Sequence, residues 1–219
     1  LNWNMAMRKT ERLLSEQRKV STICYQLGDN SFDYLSEMAN DDEKIEQPVN
    51  WVAFKQSYFS SIIKPEKAFG TKGSQVRATN YKEGSEKYHT HIRSYKTSFN
   101  LSLSSTENGT VGMNWYFGPN DYTVLKSYGN GYQDMLNYGW GLFRWINLYA
   151  VQPVFDLLNS TGMGIGIAIL LLTLILKLIL MPIQWKMFVS SAKMRILKPQ
   201  IDEINAKYPN KEDAMKKQM

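Results

Sequence analysis

Leu170-Leu171-Leu172-Thr173-Leu174-Ile175-Leu176-Lys177-Leu178-Ile179-Leu180-Met181-Pro182 lies inside the longest apolar run of the chain, with a lysine near the middle of that run. From Met163 to Trp185 the run covers 23 residues, and Lys177 is its one charge. At about 1.5 Å per residue a helix carries it roughly 34 Å, enough for a hydrocarbon core of about 30 Å. Thirteen of these residues are Leu or Ile. At roughly 0.5 kcal/mol each they favour insertion by about 6 kcal/mol, and a central lysine opposes it by about 3 kcal/mol. The balance predicts a transmembrane helix rather than the core helix of a soluble domain.

The charges around the run set its orientation. No Lys or Arg occurs between Trp145 and Leu176, whereas eight follow from Lys186 onward: Lys186, Lys193, Arg195, Lys198, Lys207, Lys211, Lys216 and Lys217. The positive-inside rule places that side in the cytoplasm and everything before the span outside. The same rule accounts for most of the net charge of +6, so the basic tail reads as topology rather than as a nucleic-acid footprint.

Two zones precede and surround the span. Residues 1 to about 137 are polar and mixed, and they read mainly as strands. Lys87 to Leu103 alternates, an Asn108-Gly109 turn signal follows, and Val111 to Phe117 is a further strand that stops at Gly118-Pro119. The pattern predicts a hairpin over 86–117. Val20 to Gln26 and Ser74 to Asn80 are further strands, Trp51 to Tyr58 fits either periodicity, and Asn120 to Ser127 reads as a short helix. The expected class is a mostly antiparallel sandwich.

Between the sandwich and the span lies an aromatic-apolar stretch from Tyr138 to Leu158. Trp140, Trp145 and Tyr149 suit a membrane–water boundary. On a regular helical wheel Arg144, Asn147, Gln152 and Asp156 fall within about half a turn, interrupted by Leu148, Val151 and Phe155. This predicts an imperfectly amphipathic helix lying on the membrane surface. After the span, Met194, Leu197, Ile201, Ile204 and Tyr208 recur at coiled-coil spacing, and Pro199 is expected to kink that helix or to begin a new one.

An ionised side chain inside hydrocarbon is costly and is expected to face a protein interior or a wet cavity. The span carries no carboxylate for Lys177, so its counterpart is expected from water, from other helices or from a ligand. The other candidates are weaker. His89 and His91 stand two apart on an expected strand, but no third metal ligand is indicated. The single cysteine, Cys24, excludes a disulfide framework and a cysteine metal cluster. Both ends, Leu1 and the charged helical pattern at Met219, read as cuts in a longer protein.

These residues carry a resemblance. Lys177-Leu178-Ile179-Leu180-Met181-Pro182, followed by Ser191-Ala192-Lys193-Met194-Arg195-Ile196-Leu197-Lys198-Pro199-Gln200-Ile201, resembles the YidC-type membrane protein insertases of the YidC/Oxa/Alb family, in the Gram-negative form with a large periplasmic domain. Tyr138-Gly139-Trp140, Trp51-Val52-Ala53, Tyr58-Phe59 and Phe117-Gly118-Pro119 agree with it. The resemblance implies a cell inner membrane protein. Residues 1–137 would be the C-terminal part of a periplasmic antiparallel β-supersandwich and 138–160 an interfacial amphipathic helix. Residues 161–187 would be the first transmembrane helix of the insertase core, and 188–219 the start of a cytoplasmic coiled-coil hairpin. Lys177 would be the cation of a hydrophilic groove open to cytoplasm and lipid, at a position where the family usually has Arg. Pro182 would shape or pack the helix, and Lys193, Met194, Arg195, Leu197, Pro199 and Ile201 would enter the hairpin. The implied activity is insertion and folding of integral membrane proteins, with no catalytic residues, metal or cofactor. Its implied partners are nascent membrane proteins and the lipid bilayer, with the Sec translocon and the ribosome as further candidates on the cytoplasmic side and no nucleic acid. The alternative is a membrane-anchored periplasmic carbohydrate- or protein-binding module, with Tyr88, Tyr95, Trp115 and Tyr116 lining a cleft.

Overall fold

A computed structural model describes residues 1–101, 110–139 and 141–207, with the side chains of all of these but 71, 72, 200 and 203–207. The chain divides into two compact units, Leu1–Asn137 and Tyr138–Met219.

The first unit is built on two antiparallel sheets. One holds β1 (Asn2–Arg8), β8 (His91–Asn100), β7 (Gly70–Asn80) and β4 (Asp41–Ile45) in that order. The other holds β3 (Phe32–Tyr34), β2 (Thr22–Leu27), β5 (Val49–Lys55), β6 (Phe59–Pro65) and β9 (Met113–Pro119). Helix α1 (Leu14–Arg18) links β1 to β2, and α2 (Tyr122–Ser127) with a 3₁₀ turn at Tyr132–Met135 follows β9. The α2 N-terminus is capped by Asp121, whose Oδ1 accepts from Val124 N–H at 2.9 Å, as its β-region backbone and short carboxylate dictate.

The central strands of the second sheet are buried on both faces, and this explains their sequence. Side chains alternate across a strand. Ile23, Tyr25, Val52, Phe54 and Ile63 therefore enter one core, together with Val76, Tyr95 and Phe99 from the first sheet. Cys24, Trp51, Ala53, Ile62 and Tyr116 point the other way, into a second core closed by Leu125, Tyr132 and Met135. A strand covered on both faces loses the apolar–polar alternation, which is why Trp51 to Tyr58 fits two periodicities by sequence yet forms β5. In the first core Trp3 stacks on Phe54 at 3.7 Å and Phe69 on Phe99 at 4.5 Å. In the second, Trp51 is fully buried, meets Tyr132 edge-on at 5.3 Å and donates from Nε1 to the Asn130 carbonyl at 2.8 Å.

Three expectations need correction. The hairpin over 86–117 does not form, because β8 pairs with β1 and β7 whereas β9 pairs with β6 in the opposite sheet. Each strand has an apolar face suited to a sandwich, and only packing decides which sheet receives it. The Asn108-Gly109 signal lies outside the described residues. His89 and His91 do not share a strand face: β8 begins at His91, and His89 sits in the turn before it. The proposed aromatic cleft is also dispersed. Tyr95 belongs to the inter-sheet core and Tyr116 to the second core, Tyr88 lies under the Arg18 guanidinium at 4.8 Å, and Trp115 is half exposed near Trp3.

One buried cation was not anticipated. Arg93, on β8, is fully buried, and its guanidinium donates to the carbonyls of Ser36, at 2.6 Å, and Ala39. It thereby fastens the segment that crosses from β3 in one sheet to β4 in the other, supplying donors to carbonyls that have left their ladders.

The buried thiol gives a testable pH dependence. Burial pushes Cys24 from the ordinary 9.0 up to about 12. The folded state therefore keeps the proton that the unfolded chain releases above 9.0. Stability is intact below that pH and falls as pH rises toward the folded value. Urea midpoints measured on either side of pH 9.0 should show this decline, and Cys24→Ala should reduce it. The reduction will be partial, because burial also raises the hydroxyls of Tyr25 and Tyr95.

The second unit is helical. Leu142–Ile146 (α3) and Gln152–Ser160 (α4) flank a single π-turn at Asn147–Val151. The backbone stays right-handed helical through Ile146, Asn147, Val151 and Gln152, so the three pieces form one helix. Its signature is the Gln152 N–H, which donates to the Asn147 carbonyl five residues back. Pro153, on the first turn of α4, lacks an N–H and crowds the carbonyl four residues before it, a local cause for the widened turn. The helix ends through Thr161 and Gly162, whose N–H groups return to the carbonyls of Leu158 and Asn159 at 3.3 and 3.2 Å. Gly162 and Gly164 take φ of 74° and 77°, a left-handed backbone that favours glycine and turns the chain into the next helix.

That helix, α5, runs without a break from Ile165 to Lys207 and contains Pro182 and Pro199. No new helix begins at Pro199, and no helix boundary falls between 187 and 188. Both prolines are absorbed within the long helix, each removing one intrahelical N–H.

Candidate functional site

The chemistry of the second unit sits on α5. Within it, Ile165–Pro199 is long and apolar enough to cross a membrane, and among the described residues of its own unit almost none of that surface is covered. Leu170, Leu174, Leu178, Ile179, Met181, Ile183 and Trp185 are all exposed. A helix that is apolar all round and uncovered requires an apolar solvent, which is the physical content of a span.

Lys177 is placed on this helix and is exposed with its neighbours. It does not stand alone. Between Ile165 and Trp185 the other polar side chains are Thr173 and Gln184. At about 100° per residue all three fall within roughly 40° of one another around the helix axis, and Ser191 and Arg195 continue the same line. The Thr173 hydroxyl donates to the Ile169 carbonyl at 2.8 Å, which satisfies it within the helix. Pro182, one turn further on, lacks the N–H that the Leu178 carbonyl would otherwise receive. The helix thus has one polar edge on an otherwise apolar cylinder. A wheel drawn on the sequence would have found it, but the composition of the run, dominated by Leu and Ile, drew attention to the lysine alone.

The basic residues Lys186, Lys193, Arg195 and Lys198 follow on the same helix. Met194 and Leu197 are exposed, Ile201 is partly covered, and Pro199 lies inside the helix. The residues of the expected coiled-coil seam therefore follow the span on the same helix. Tyr208 lies outside the described residues. Of the expected boundary aromatics, Trp145 and Tyr149 are on the preceding helix, exposed and 5.7 Å apart, and Trp140 lies outside the described residues. Among the described residues no group of three or more His, Cys, Asp or Glu side chains is placed to hold a metal.

Residues 11–152 match the family described as YidC periplasmic domain, and residues 157–219 match the family described as 60Kd inner membrane protein. The chain belongs to the YidC family. It is 35% identical over 224 residues to a membrane protein insertase YidC of Bacteroides fragilis, covering 100% of this chain and 35% of that protein. The YidC of Phocaeicola vulgatus is 34% identical over 226 residues, covering 100% of this chain and 35% of the relative. The YidC of Porphyromonas gingivalis is 34% identical over 229 residues, covering 100% and 36% respectively. The chain spans about a third of the length of the curated relatives it matches. The YidC periplasmic-domain match covers the two-sheet sandwich after β1 and continues into the helix that carries Trp145 and Tyr149, and the inner-membrane match takes up the span with Lys177. A sandwich domain, a helix with exposed aromatics and an apolar helix followed by basic residues is thus the order of parts in this chain.

Proposed function

We propose that the full-length protein is a membrane protein insertase whose polar groove includes Lys177. The observation that carries this reading is the polar edge of α5: one cation in mid-span, in line with Thr173 and Gln184, on a helix otherwise uniform in Leu and Ile. A polar segment entering hydrocarbon leaves backbone and side-chain groups unsatisfied, at a cost of several kcal/mol each. A wet, positively charged surface partway across lowers that cost for acidic and polar parts of a passing chain, while its apolar segment moves into lipid. No covalent bond is made or broken, so the task needs no nucleophile, metal or nucleotide. Lysine in place of the usual arginine keeps the charge and gives up the bidentate fork, which favours a requirement for a hydrated charge over one for a fixed two-point contact.

In this reading 1–137 is a periplasmic sandwich and 138–160 an interfacial helix. Residues 161–187 form the first span of the core, and 188–219 start a cytoplasmic hairpin entered through Lys193, Met194, Arg195, Leu197, Pro199 and Ile201. The orientation is supported by the Lys and Arg bias, none before Lys177 back to Trp145 and eight from Lys186 onward. Pro182 withholds one intrahelical N–H a turn after Lys177. The clients are nascent membrane proteins, with the Sec translocon and the ribosome as candidate partners on the basic side.

Depleting the full-length protein from its host tests the reading. Small single-span proteins should then remain unintegrated, recovered by alkaline extraction of the membranes, and growth should fail. Normal integration of such clients during depletion would contradict it.

A further inference from the structure

Drawn as a regular α-helix, residues 142–160 make a poor surface helix. Arg144, Asn147, Gln152, Asp156 and Asn159 spread over about 180°, and Val151 and Phe155 lie among them. The helix is not regular. Asn147–Val151 forms a π-turn, and such a turn takes one residue more than an α-turn, so everything after it lags by about 100°. With that lag the same five polar residues fall within about 90° of one another. Val151 leaves the polar arc, Phe155 moves to its edge, and Leu148 remains the one apolar residue inside it. The remaining arc gathers Leu142, Phe143, Trp145, Ile146, Tyr149, Val154, Leu157 and Leu158. Leu142, Trp145, Tyr149 and Leu157 are 68%, 59%, 68% and 68% exposed.

We infer that the π-turn is a phase-correcting device: it rotates α4 so that the two halves of the helix present one continuous apolar face to the membrane surface. The occupant of that face is the bilayer, because α4 ends at Ser160 and only residues 161–164 separate it from the apolar helix that starts at Ile165. A face tethered that closely to the span cannot leave the lipid boundary. Trp145 and Tyr149 suit the headgroup level, and an apolar face wider than the polar one, with few charges, suits shallow burial in the interface. The inference rests on the surface-helix part of the proposed function and adds what sets its register.

The device makes an unusual prediction. In a regular helix, deleting one residue rotates the two halves apart by about 100°. Here, deletion of Ala150 made together with Pro153→Ala, so that the local cause of the widening leaves with the extra residue, closes the π-turn to an α-turn and leaves the faces aligned. Deletion of Val151 does the same and guards against local misfolding in either variant. Insertion of an alanine after Ala150 adds a second extra residue and breaks the alignment. The test uses the full-length protein in native membranes, in a cysteine-free background carrying Asp156→Cys, Asn159→Cys, Leu157→Cys or Leu158→Cys one at a time. A membrane-impermeant maleimide should label positions 156 and 159 severalfold faster than 157 and 158. Both deletions should preserve that contrast and the insertion should abolish it. Loss or reversal of the contrast in both deletions would overturn the inference while leaving the surface helix standing. Absence of any contrast in the undeleted protein would overturn the surface helix itself, and the phase device with it.

Discussion

Replacing Lys177 by leucine in the full-length protein is expected to abolish complementation of a depleted host while leaving the protein in the membrane at normal levels. The two halves of that expectation come from different energies. On an insertion scale a central lysine costs about 3 kcal/mol and a leucine contributes about −0.5 kcal/mol, so the variant helix inserts more favourably by roughly 3.5 kcal/mol. Lost function then cannot be ascribed to a helix that fails to enter the bilayer. What disappears is the one cation of the span, and with it the attraction for acidic and polar parts of a client in mid-membrane. Lys177→Glu should be at least as severe, since it replaces attraction by repulsion. Lys177→Arg should restore function, because the charge and reach are kept. The measurement is growth on depletion, with immunoblotting of membrane fractions for each variant. Full growth of the Lys177→Leu strain would mean that the lysine merely anchors or snorkels, and the groove reading would fall.

The second large effect is on stability. Trp51→Ala should destabilise the sandwich by roughly 3–5 kcal/mol through the cavity it leaves. A further loss of about 0.5–1.5 kcal/mol is expected because the part-buried Asn130 carbonyl, now 2.8 Å from the indole Nε1, would lose its donor. Trp51→Phe keeps most of the ring packing against Tyr132 and should show mainly the second loss. Cys24 provides the readout. It is buried in the same cluster as Trp51, so a thiol reagent reaches it only when that cluster opens. With every 1.4 kcal/mol worth about tenfold in an equilibrium, Trp51→Ala should speed Cys24 labelling under native conditions by at least about two orders of magnitude, and Trp51→Phe by much less. Equal labelling rates in Trp51→Ala and the parent chain would show that Trp51 does not hold this layer together.

Much of the membrane half could be read directly from the chain, and the reason is that hydropathy is a local quantity. Length, apolarity and the side on which Lys and Arg gather need no knowledge of neighbours, so the span, its lone Lys177 and the aromatics Trp145 and Tyr149 ahead of it are all legible in order. The capped helix after Pro119 was visible for the same reason: Asp121 supplies its cap from within the same turn. In the sandwich, β2 and β7 were found where strand-forming residues cluster. The short α1 has no such local signature, since Arg8 to Arg18 offers helix formers without an apolar stripe.

What escaped the sequence is what depends on non-local partners. β8 and β9 each carry a good strand pattern, and nothing in either says that they enter opposite sheets. β5 reads ambiguously because two different layers bury its two faces, and a second layer has no signature in the strand it covers. Arg93 looks like a surface cation until the carbonyls of Ser36 and Ala39 are brought to it. The π-turn is invisible to any wheel that assumes 3.6 residues per turn, although it decides which residues of 142–160 share a face. The order of parts, the span and its charge were therefore determined by the sequence alone. Strand partnership, the second core and the phase of the helix over 142–160 were decided only by the folded structure, because each depends on groups that approach one another from distant positions or on a backbone hydrogen bond that a regular wheel does not anticipate.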